Sequence, residues 1–389
     1  METRLKRATI GTALWFFMNA VGWASLVVRM PEIKDRLDVT NGELGIGLFI
    51  AALGALAALR PAGIWSAKYG SAPVMKISVF AGVSFLPLIA IAPTIWTFGG
   101  TAFFFMFTIA TMDMAMNAHA VAIEHESKQL IMGRMHGLWS TGGIAGGLIG
   151  GGCAALEVPL MEQALLMTLV ITVIAFFSSR LLLPADVDRH EPETSADGKK
   201  HRYPLMFWIL GLVCLCGTIG EGSAIDWGAI LLRDEWDATP FVASIPYVVF
   251  QTAMVIGRFS SDFLSQRFGR AKVLLTCGLL TTFGLTGGLL VGDVVGVTAG
   301  WFLLGLGVSV VFPMTMSVAG ALAIRDYSKV IAPSQAVSMV AGIAYGAFLA
   351  GPPLIGFLAD AISLRWAMLV PAALGIDILF GSRIAKSVD

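Results

Sequence analysis

Long apolar stretches, separated by short polar segments, follow one another along the whole chain. A helix needs about 20 predominantly apolar residues to cross the hydrocarbon core of a bilayer. Twelve stretches reach that length, which predicts an all-α integral membrane protein with twelve transmembrane helices. We number these predicted spans 1 to 12; they lie at approximately 8–28, 43–62, 73–93, 96–122, 137–157, 163–183, 204–228, 241–261, 271–292, 296–321, 337–358 and 365–383.

The one long polar stretch lies near the middle of the chain, at residues 184–203. It combines Pro, Asp, Glu, Ser and Lys without an apolar face, which is typical of a linker. Six predicted spans precede it and six follow it. This arrangement predicts two pseudo-symmetric six-helix bundles, at 1–183 and 204–389, as in transporters built from two parallel halves.

The positive charges predict the orientation of the spans, because cytoplasmic loops carry an excess of Lys and Arg. With the N-terminus in the cytoplasm, 21 of the 26 Lys and Arg residues fall on the cytoplasmic side. The opposite orientation would invert this ratio. We therefore expect a multi-pass protein of a bacterial inner membrane whose two termini and 184–203 linker lie in the cytoplasm.

Composition supports a membrane protein and argues against several other classes. The 389 residues are 56% hydrophobic and 13% charged, with a mean hydropathy of +0.79, whereas soluble domains carry about 25% charged residues. The zero net charge argues against nucleic acid as a partner. No nucleophile–base pair, phosphate-binding loop or His/Cys cluster stands out, so we expect no enzymatic activity, cofactor or metal. The expected partners are a small-molecule solute and membrane lipid, and the protein is expected to act as a monomer.

Asp113 in span 4 is the first candidate for chemistry, because an ionisable group inside a span is costly and marks a functional site. It is predicted near the midplane, about 14 Å from the cytoplasmic end of the span. Asn117 follows four residues later and shares its helix face. A carboxyl beside an amide can alternate between protonated donor and ionised acceptor, which a proton-coupled site requires. The alternative is an Asp that is hydrogen-bonded within the bundle and never titrates.

Glu221, which lies between two glycines in span 7, is the second candidate for proton coupling. In the pseudo-repeat, span 7 corresponds to span 1, which carries Asn19. An amide in an apolar span needs a polar partner, so Asn19 is predicted to contact either the solute or another helix. Asp226, near the outer end of span 7, is expected in water, and span 12, which carries Asp377, is expected to be scaffold.

The loop between spans 2 and 3 resembles the signature of the major facilitator superfamily, G-x-x-x-D-R-x-G-R-R. Lys68 and Gly70 match its basic and glycine positions, whereas Ala67 and Ser71 replace the acid and an Arg. The loop between spans 8 and 9 repeats the signature more closely, with the residues Gly257, Arg258, Asp262, Arg267, Gly269 and Arg270. The resemblance implies the major facilitator fold, and a cytoplasmic latch formed by Lys68, Gly70 and the four charged residues of the second copy.

Spans 4 and 5 are similar to those of the fucose-permease branch of this superfamily. Asp113 stands four residues before Asn117, and span 5 carries Arg134 and an aromatic-Ser-x-Gly group that begins at Trp139. The Pro that the branch usually has after this Asn is replaced by Ala118. The resemblance implies a sugar-like solute and a proton as the coupling ion. The side chains expected to contact the solute are polar groups of five spans: Asn19, Asn117, Trp139, Gln251 and Tyr345.

Three functions are compatible with these patterns. The first is a secondary transporter that carries a small polar solute such as a sugar, by proton-coupled symport with alternating access. The second is an efflux antiporter for amphipathic compounds, which the Gly351-Pro352 pair of span 11 favours, although the antiporter motif belongs in span 5. The third is a membrane sensor, against which the short linker and the lack of a soluble domain weigh.

Overall fold

The structure is a computed structural model that describes residues 2–127, 131–187, 203–327, 331 and 333–386. These residues form helices and their connections, with no strand among them. The helices of the first half are α1 (Glu2–Val27), α2 (Met30–Leu37), α3 (Asn41–Tyr69), α4 (Ser71–Ile91), α5 (Ile95–Ser127), α6 (Met132–Ala155) and α7 (Leu160–Ser178). Those of the second half are α8 (Leu205–Trp236), α9 (Pro240–Phe268), α10 (Arg270–Leu279), α11 (Leu285–Val291), α12 (Val294–Val308), α13 (Val311–Asp326), α14 (Pro333–Ile362), α15 (Leu364–Ala367) and α16 (Leu369–Ala385).

Eleven helical segments in the described part of the chain are long and apolar enough to cross a membrane. They match eleven of the twelve predicted spans, with the π-helical turn Leu280–Gly284 joining α10 and α11 in span 9. The twelfth, span 5, is the 24-residue helix α6. Its six glycines between Gly142 and Gly151 lower its mean hydropathy, because glycine adds no apolar side chain.

The chain forms two compact units, one of Met1–Val39 with Ile46–Ala196, and one of Thr40–Gly45 with Asp197–Asp389. We refer to them as unit 1 and unit 2. The division falls inside the stretch 184–203, of which residues 188–202 lie outside the described part of the chain. The limits 1–183 and 204–389 and the linker remain predictions.

The two units repeat one packing pattern. In unit 1, α1 packs mainly against α6, and α4 packs against α5 and α7. In unit 2, α8 packs mainly against α14, α12 packs against the segment from the π-helical turn to α11, and α10 packs against α16. In span numbers, the pairs 1–5, 3–4 and 3–6 of unit 1 correspond to the pairs 7–11, 9–10 and 9–12 of unit 2. Each unit is therefore built on the same six-span plan.

The seam between α1 and α6 depends on three glycines spaced four residues apart. A Cβ atom at Gly142 would lie 2.4 Å from the carbonyl oxygen of Phe17, and one at Gly146 would lie 2.5 Å from that of Val21. The next glycine, Gly150, comes equally close to the carbonyl oxygen of Ser25, at 2.4 Å. Such small residues let two helices in a membrane approach through their backbones. The glycine run therefore has the packing role that its spacing predicts.

The two copies of the signature loop make the same turn. Gly70 joins α3 to α4 with φ of 84°, and Gly269 joins α9 to α10 with φ of 84°. A residue with a Cβ atom is strained in this left-handed region. At Gly70 a Cβ would also lie 2.4 Å from the carbonyl oxygen of Ala185. The glycine positions of the signature are thus required by backbone conformation.

Candidate functional site

Unit 1 places Asp113 and Asn117 together on α5. The Asn117 Nδ2 donates to the Asp113 backbone carbonyl oxygen at 2.8 Å and lies 3.4 Å from Asp113 Oδ1. Both side chains are half-buried. No Lys or Arg side chain of the described residues pairs with the Asp113 carboxylate. The pair therefore combines a carboxyl that lacks a cationic partner with an amide that can hydrogen-bond either of its protonation states.

Asn19 ties three helices of unit 1 together. The indole Nε1 of Trp139 on α6 donates to Asn19 Oδ1 at 2.9 Å, and Asn19 Nδ2 lies 3.4 Å from the carbonyl oxygen of Ile109 on α5. Asn19 is 4% exposed and borders a small cavity of about 20 Å³ between α1, α4, α5 and α7. A cavity of this size holds about one water molecule. Both the oxygen and the nitrogen of the Asn19 amide thus have hydrogen-bond partners inside unit 1.

A groove of about 430 Å³ opens beside the C-terminal half of α5. Its walls include Ser66 and Ala67 of α3 and Met114 and Ala118 of α5. Ala67 and Ala118 are the two small residues that replace the acid and the Pro of the resembled patterns. These substitutions help to leave open space next to the helix that carries Asp113 and Asn117.

In unit 2, Glu221 is paired with a residue of the signature loop. The Arg258 Nη2 on α9 donates to Glu221 Oε1 on α8 at 3.3 Å. The two side chains are partly buried, with 33% and 21% of their surfaces exposed. Each charge offsets the cost of desolvating the other, and the pair joins the first two spans of unit 2. Arg258, predicted for a cytoplasmic latch, therefore lies against the second candidate for proton coupling.

Gln251 and Tyr247 lie one turn apart on the same face of α9. Gln251 Nε2 donates to the Tyr247 hydroxyl oxygen at 3.2 Å, and both residues are almost fully buried. The Gln251 Oε1 atom has no hydrogen-bond partner in the described part of the chain. Tyr247 also interacts electrostatically with Glu221. Unit 2 therefore holds a polar cluster, which we define as Glu221, Tyr247, Gln251 and Arg258.

The remaining predicted residues are spread over the surfaces of the units. Tyr345 on α14 is 39% exposed, with its ring 6.3 Å from that of Phe348. Lys68 lies exposed over the ring of Tyr69, and Arg267 lies exposed between the rings of Phe263 and Phe268.

The latch has two further predicted members. Arg270 is the first residue of α10. The side chain of Asp262 lies outside the described part of the chain.

His119, two residues after Asn117 on α5, is a positioning residue that the sequence patterns do not identify. The Leu183 backbone N–H donates to its Nε2 at 3.1 Å, so Nδ1 carries the proton and donates to Ser71 Oγ at 2.6 Å. The ring is 1% exposed. It joins α5 to the start of α4 and to the chain after α7. Ser71 occupies the position at which the signature has an Arg. This departure is the sequence signal that could have pointed to the His119 contact.

Two more carboxylates lie within spans of unit 2. Asp377 on α16 accepts a hydrogen bond from Cys216 Sγ at 3.4 Å. Asp226 on α8 is half-buried and has no hydrogen-bond or ion-pair partner among the described residues. The described residues contain no group of three or more His, Cys, Asp or Glu side chains that could hold a metal.

Comparison with known proteins connects this geometry to a family. The sequence model of the Major Facilitator Superfamily matches this chain over residues 12–227 and 222–380. An MFS-type transporter of Yersinia pestis is 30% identical over 381 residues, which cover 96% of this chain and 94% of that protein. Membrane protein MosC of Rhizobium meliloti is 30% identical over 382 residues, which cover 97% of this chain and 90% of that protein.

Solved structures share the fold at low sequence identity. The nucleoside transporter NupG superimposes with a TM-score of 0.74 at 12% identity, over 98% of this chain and all of that one. A mutant of the E. coli fucose:proton symporter FucP superimposes with a TM-score of 0.62 at 16% identity, over 97% of this chain and 98% of that one. At such identities the likeness establishes the fold alone.

Proposed function

The chain belongs to the Major Facilitator Superfamily, and from that premise we propose that this membrane transporter carries a small polar solute by proton-coupled symport. In this proposal the solute and the proton cross together, and alternating access exposes their sites to one side of the membrane at a time. A sugar is the solute class that we favour.

The observation that carries the proposal is the Asp113–Asn117 pair. A carboxylate inside a span is expensive to hold charged when no cation pairs with it. Asp113 therefore favours its protonated form when it is sealed from water and can release the proton when it is exposed. Asn117 hydrogen-bonds either form, so a solute that binds beside it can bias which form is preferred. This is the behaviour that couples a proton to a solute.

Glu221 stays the second candidate for proton coupling, because its carboxylate already has a cationic partner. Its carboxylate is held in an ion pair with Arg258, whereas Asp113 has no Lys or Arg partner among the described residues. We assign the first role to Asp113 for this reason.

The solute class follows from neutral hydrogen-bonding groups. Asn117 and Gln251 present amides, Tyr345 presents an exposed ring, and the Gln251 Oε1 atom still needs a donor. Hydroxyl groups of a sugar supply such donors. The fold is shared with a nucleoside transporter and a fucose:proton symporter, and both fucose and nucleosides contain hydroxyl-bearing sugar rings. Asn19 and Trp139 bond to each other and would support the site by fixing α1, α5 and α6.

The proposal includes an orientation and a location. We place the protein in a bacterial inner membrane as a monomer, with both termini in the cytoplasm, on the strength of the Lys and Arg distribution. The cytoplasmic latch proposed here consists of Lys68, Gly70, Arg258, Asp262, Arg267 and Arg270. No cofactor takes part.

Uptake by proteoliposomes tests the proposal. Purified protein is reconstituted, an inward proton gradient is imposed, and accumulation of labelled hexoses, pentoses and nucleosides is measured. We expect a sugar to accumulate in the wild type, and Asp113→Asn to lose accumulation while retaining solute counterflow. Accumulation that needs an outward proton gradient would instead favour the efflux antiporter. The absence of transport for every solute would favour the sensor.

A further inference from the structure

Asp226 is a carboxylate inside the membrane-spanning part of α8 that the proposed mechanism has not used. It lies ten residues before the end of the helix at Trp236, or about 15 Å along the axis. Trp236 donates from Nε1 to the carbonyl oxygen of Gly292 at the outer end of unit 2. Asp226 is therefore well below that end, although its sequence position suggests a residue in water.

The described residues around Asp226 include no cation paired with its carboxylate. Helices α9, α12, α13, α14, α15 and α16 pack against α8. Three contacts bring titratable groups of these helices to α8. Arg258 and Tyr247 lie next to Glu221, and Asp377 lies next to Cys216. The guanidinium of Arg365 lies over the ring of Trp236. Among the described residues none of them pairs with Asp226.

The face of α8 that carries Asp226 adjoins open space. Gly222 lies one turn before Asp226 on the same face, and a Cβ atom built there meets no atom within 4 Å. Gly222, Ile225 and Asp226 are all half-buried, whereas Ser223, Ala224 and Trp227 are buried. The carboxylate therefore lies beside space that no described protein atom fills, and is not sealed by packing as Ser223, Ala224 and Trp227 are.

Glu221 provides the contrast within the same helix. It lies five residues, or about 7.5 Å, from Asp226 along the axis. Successive residues of a helix are rotated by about 100°, so the two carboxylates point to different sides of α8. Glu221 has Arg258 as its cation at 3.3 Å, whereas Asp226 has none among the described residues.

We infer that Asp226 is a second proton-binding site of the transporter, in unit 2, and that Glu221 instead serves as the ion-pair partner of Arg258. This inference rests on the proposed proton coupling. Asp226 and Asp113 are then alike: each is a carboxylate within a span that has no cationic partner among the described residues, the one in unit 2 and the other in unit 1. The ligand of both is the proton.

Carbodiimide labelling tests this assignment residue by residue. Dicyclohexylcarbodiimide reacts with protonated carboxyls in apolar surroundings, and mass spectrometry locates the adduct. In native membrane vesicles we expect an adduct on Asp226 that falls about tenfold for each pH unit above its titration midpoint. We expect no adduct on Glu221 in the wild type. In Arg258→Gln, Glu221 should become labelled, which shows that the reagent reaches this part of α8.

The outcomes separate this inference from the proposed function. An adduct on Glu221 instead of Asp226 in the wild type, or an unlabelled Asp226 at every pH, would overturn the inference. Labelling of Asp113 is scored independently, so its absence counts against the proposed coupling site whatever Asp226 does.

A transport measurement supplies the functional arm. For a solute found in the uptake panel, Asp226→Asn should flatten the pH profile of uptake, and Asp226→Glu should restore it. An unchanged pH profile in a folded Asp226→Asn protein would overturn the inference. If Asp226→Asn fails to fold, the labelling of wild-type vesicles decides alone.

Discussion

The Asn19 amide is engaged at both ends, and its strongest hydrogen bond comes from Trp139. The indole N–H donates over 2.9 Å to Asn19 Oδ1 inside unit 1. A buried acceptor that loses its donor pays a desolvation cost that water does not recover. The bond therefore fixes α6 relative to α1 at the level of the candidate site.

Trp139→Phe removes this donor while keeping an aromatic ring. We expect the free energy of unfolding to fall by about 1 kcal/mol. Titration with SDS in mixed micelles measures it. Trp96→Phe is the matched control, because Trp96 is 67% exposed and its loss should change the free energy by less. Equal effects of the two substitutions would contradict the role given to the Asn19–Trp139 bond.

The Glu221–Arg258 pair allows a second test at the residue scale. A double-mutant cycle with Glu221→Gln and Arg258→Gln should give a coupling free energy of about 0.5–1 kcal/mol. The double variant should be less destabilised than the sum of the single variants, since neither charge is then left alone. Strictly additive effects would show that the 3.3 Å contact contributes nothing to stability.

The polar residues of the spans could be found from sequence, but their partners could not. Asp113 and Asn117 share a helix turn, so their proximity follows from a spacing of four and is confirmed by the 2.8 Å bond. The partners Trp139 for Asn19 and Arg258 for Glu221 lie on other helices. Such contacts depend on helix packing, which the local pattern does not specify.

At the scale of elements, helix α6 shows how packing overrides hydropathy. Its glycines make it the span with the weakest apolar signal, and the same glycines give it backbone contact with α1. The spacing of four between Gly142, Gly146 and Gly150 is typical of close helix packing, but it does not identify the helix that these glycines face. The location of that helix came from the structure.

Gly146→Ala tests the seam. The added Cβ would lie 2.5 Å from the carbonyl oxygen of Val21, so α1 and α6 have to separate. We expect a loss of about 1–3 kcal/mol in the free energy of unfolding. Gly152→Ala is the matched control on the same helix, since no atom lies within 4 Å of its Cβ position. A loss as large at Gly152 as at Gly146 would point to helix propensity or to other causes instead of the seam.

For the whole molecule, the alternation of apolar runs and polar segments predicted the fold class. Six spans on each side of one polar stretch predicted the repeated plan, which the packing of the two units bears out. The solute could not be predicted in this way, because it depends on a few side chains whose contacts differ within one fold.

Orientation is a separate prediction at this scale. Alkaline phosphatase and green fluorescent protein fusions after Arg189 and at the C-terminus report which side each position faces. We expect fluorescence and no phosphatase activity at both positions, because 21 of 26 Lys and Arg residues lie on the side assigned to the cytoplasm. Phosphatase activity at either position would reject the topology.

The central claim is that solute and proton cross together through Asp113. The most direct test is to measure proton movement that the solute drives. De-energised proteoliposomes are mixed with the sugar found by the uptake panel while an electrode records external pH. We predict that the sugar makes the medium more alkaline with the wild type, since protons enter with it. Asp113→Asn should abolish this change, although it still exchanges labelled sugar by counterflow. Sugar entry without any pH change in the wild type, or an undiminished pH change in Asp113→Asn, would contradict the claim.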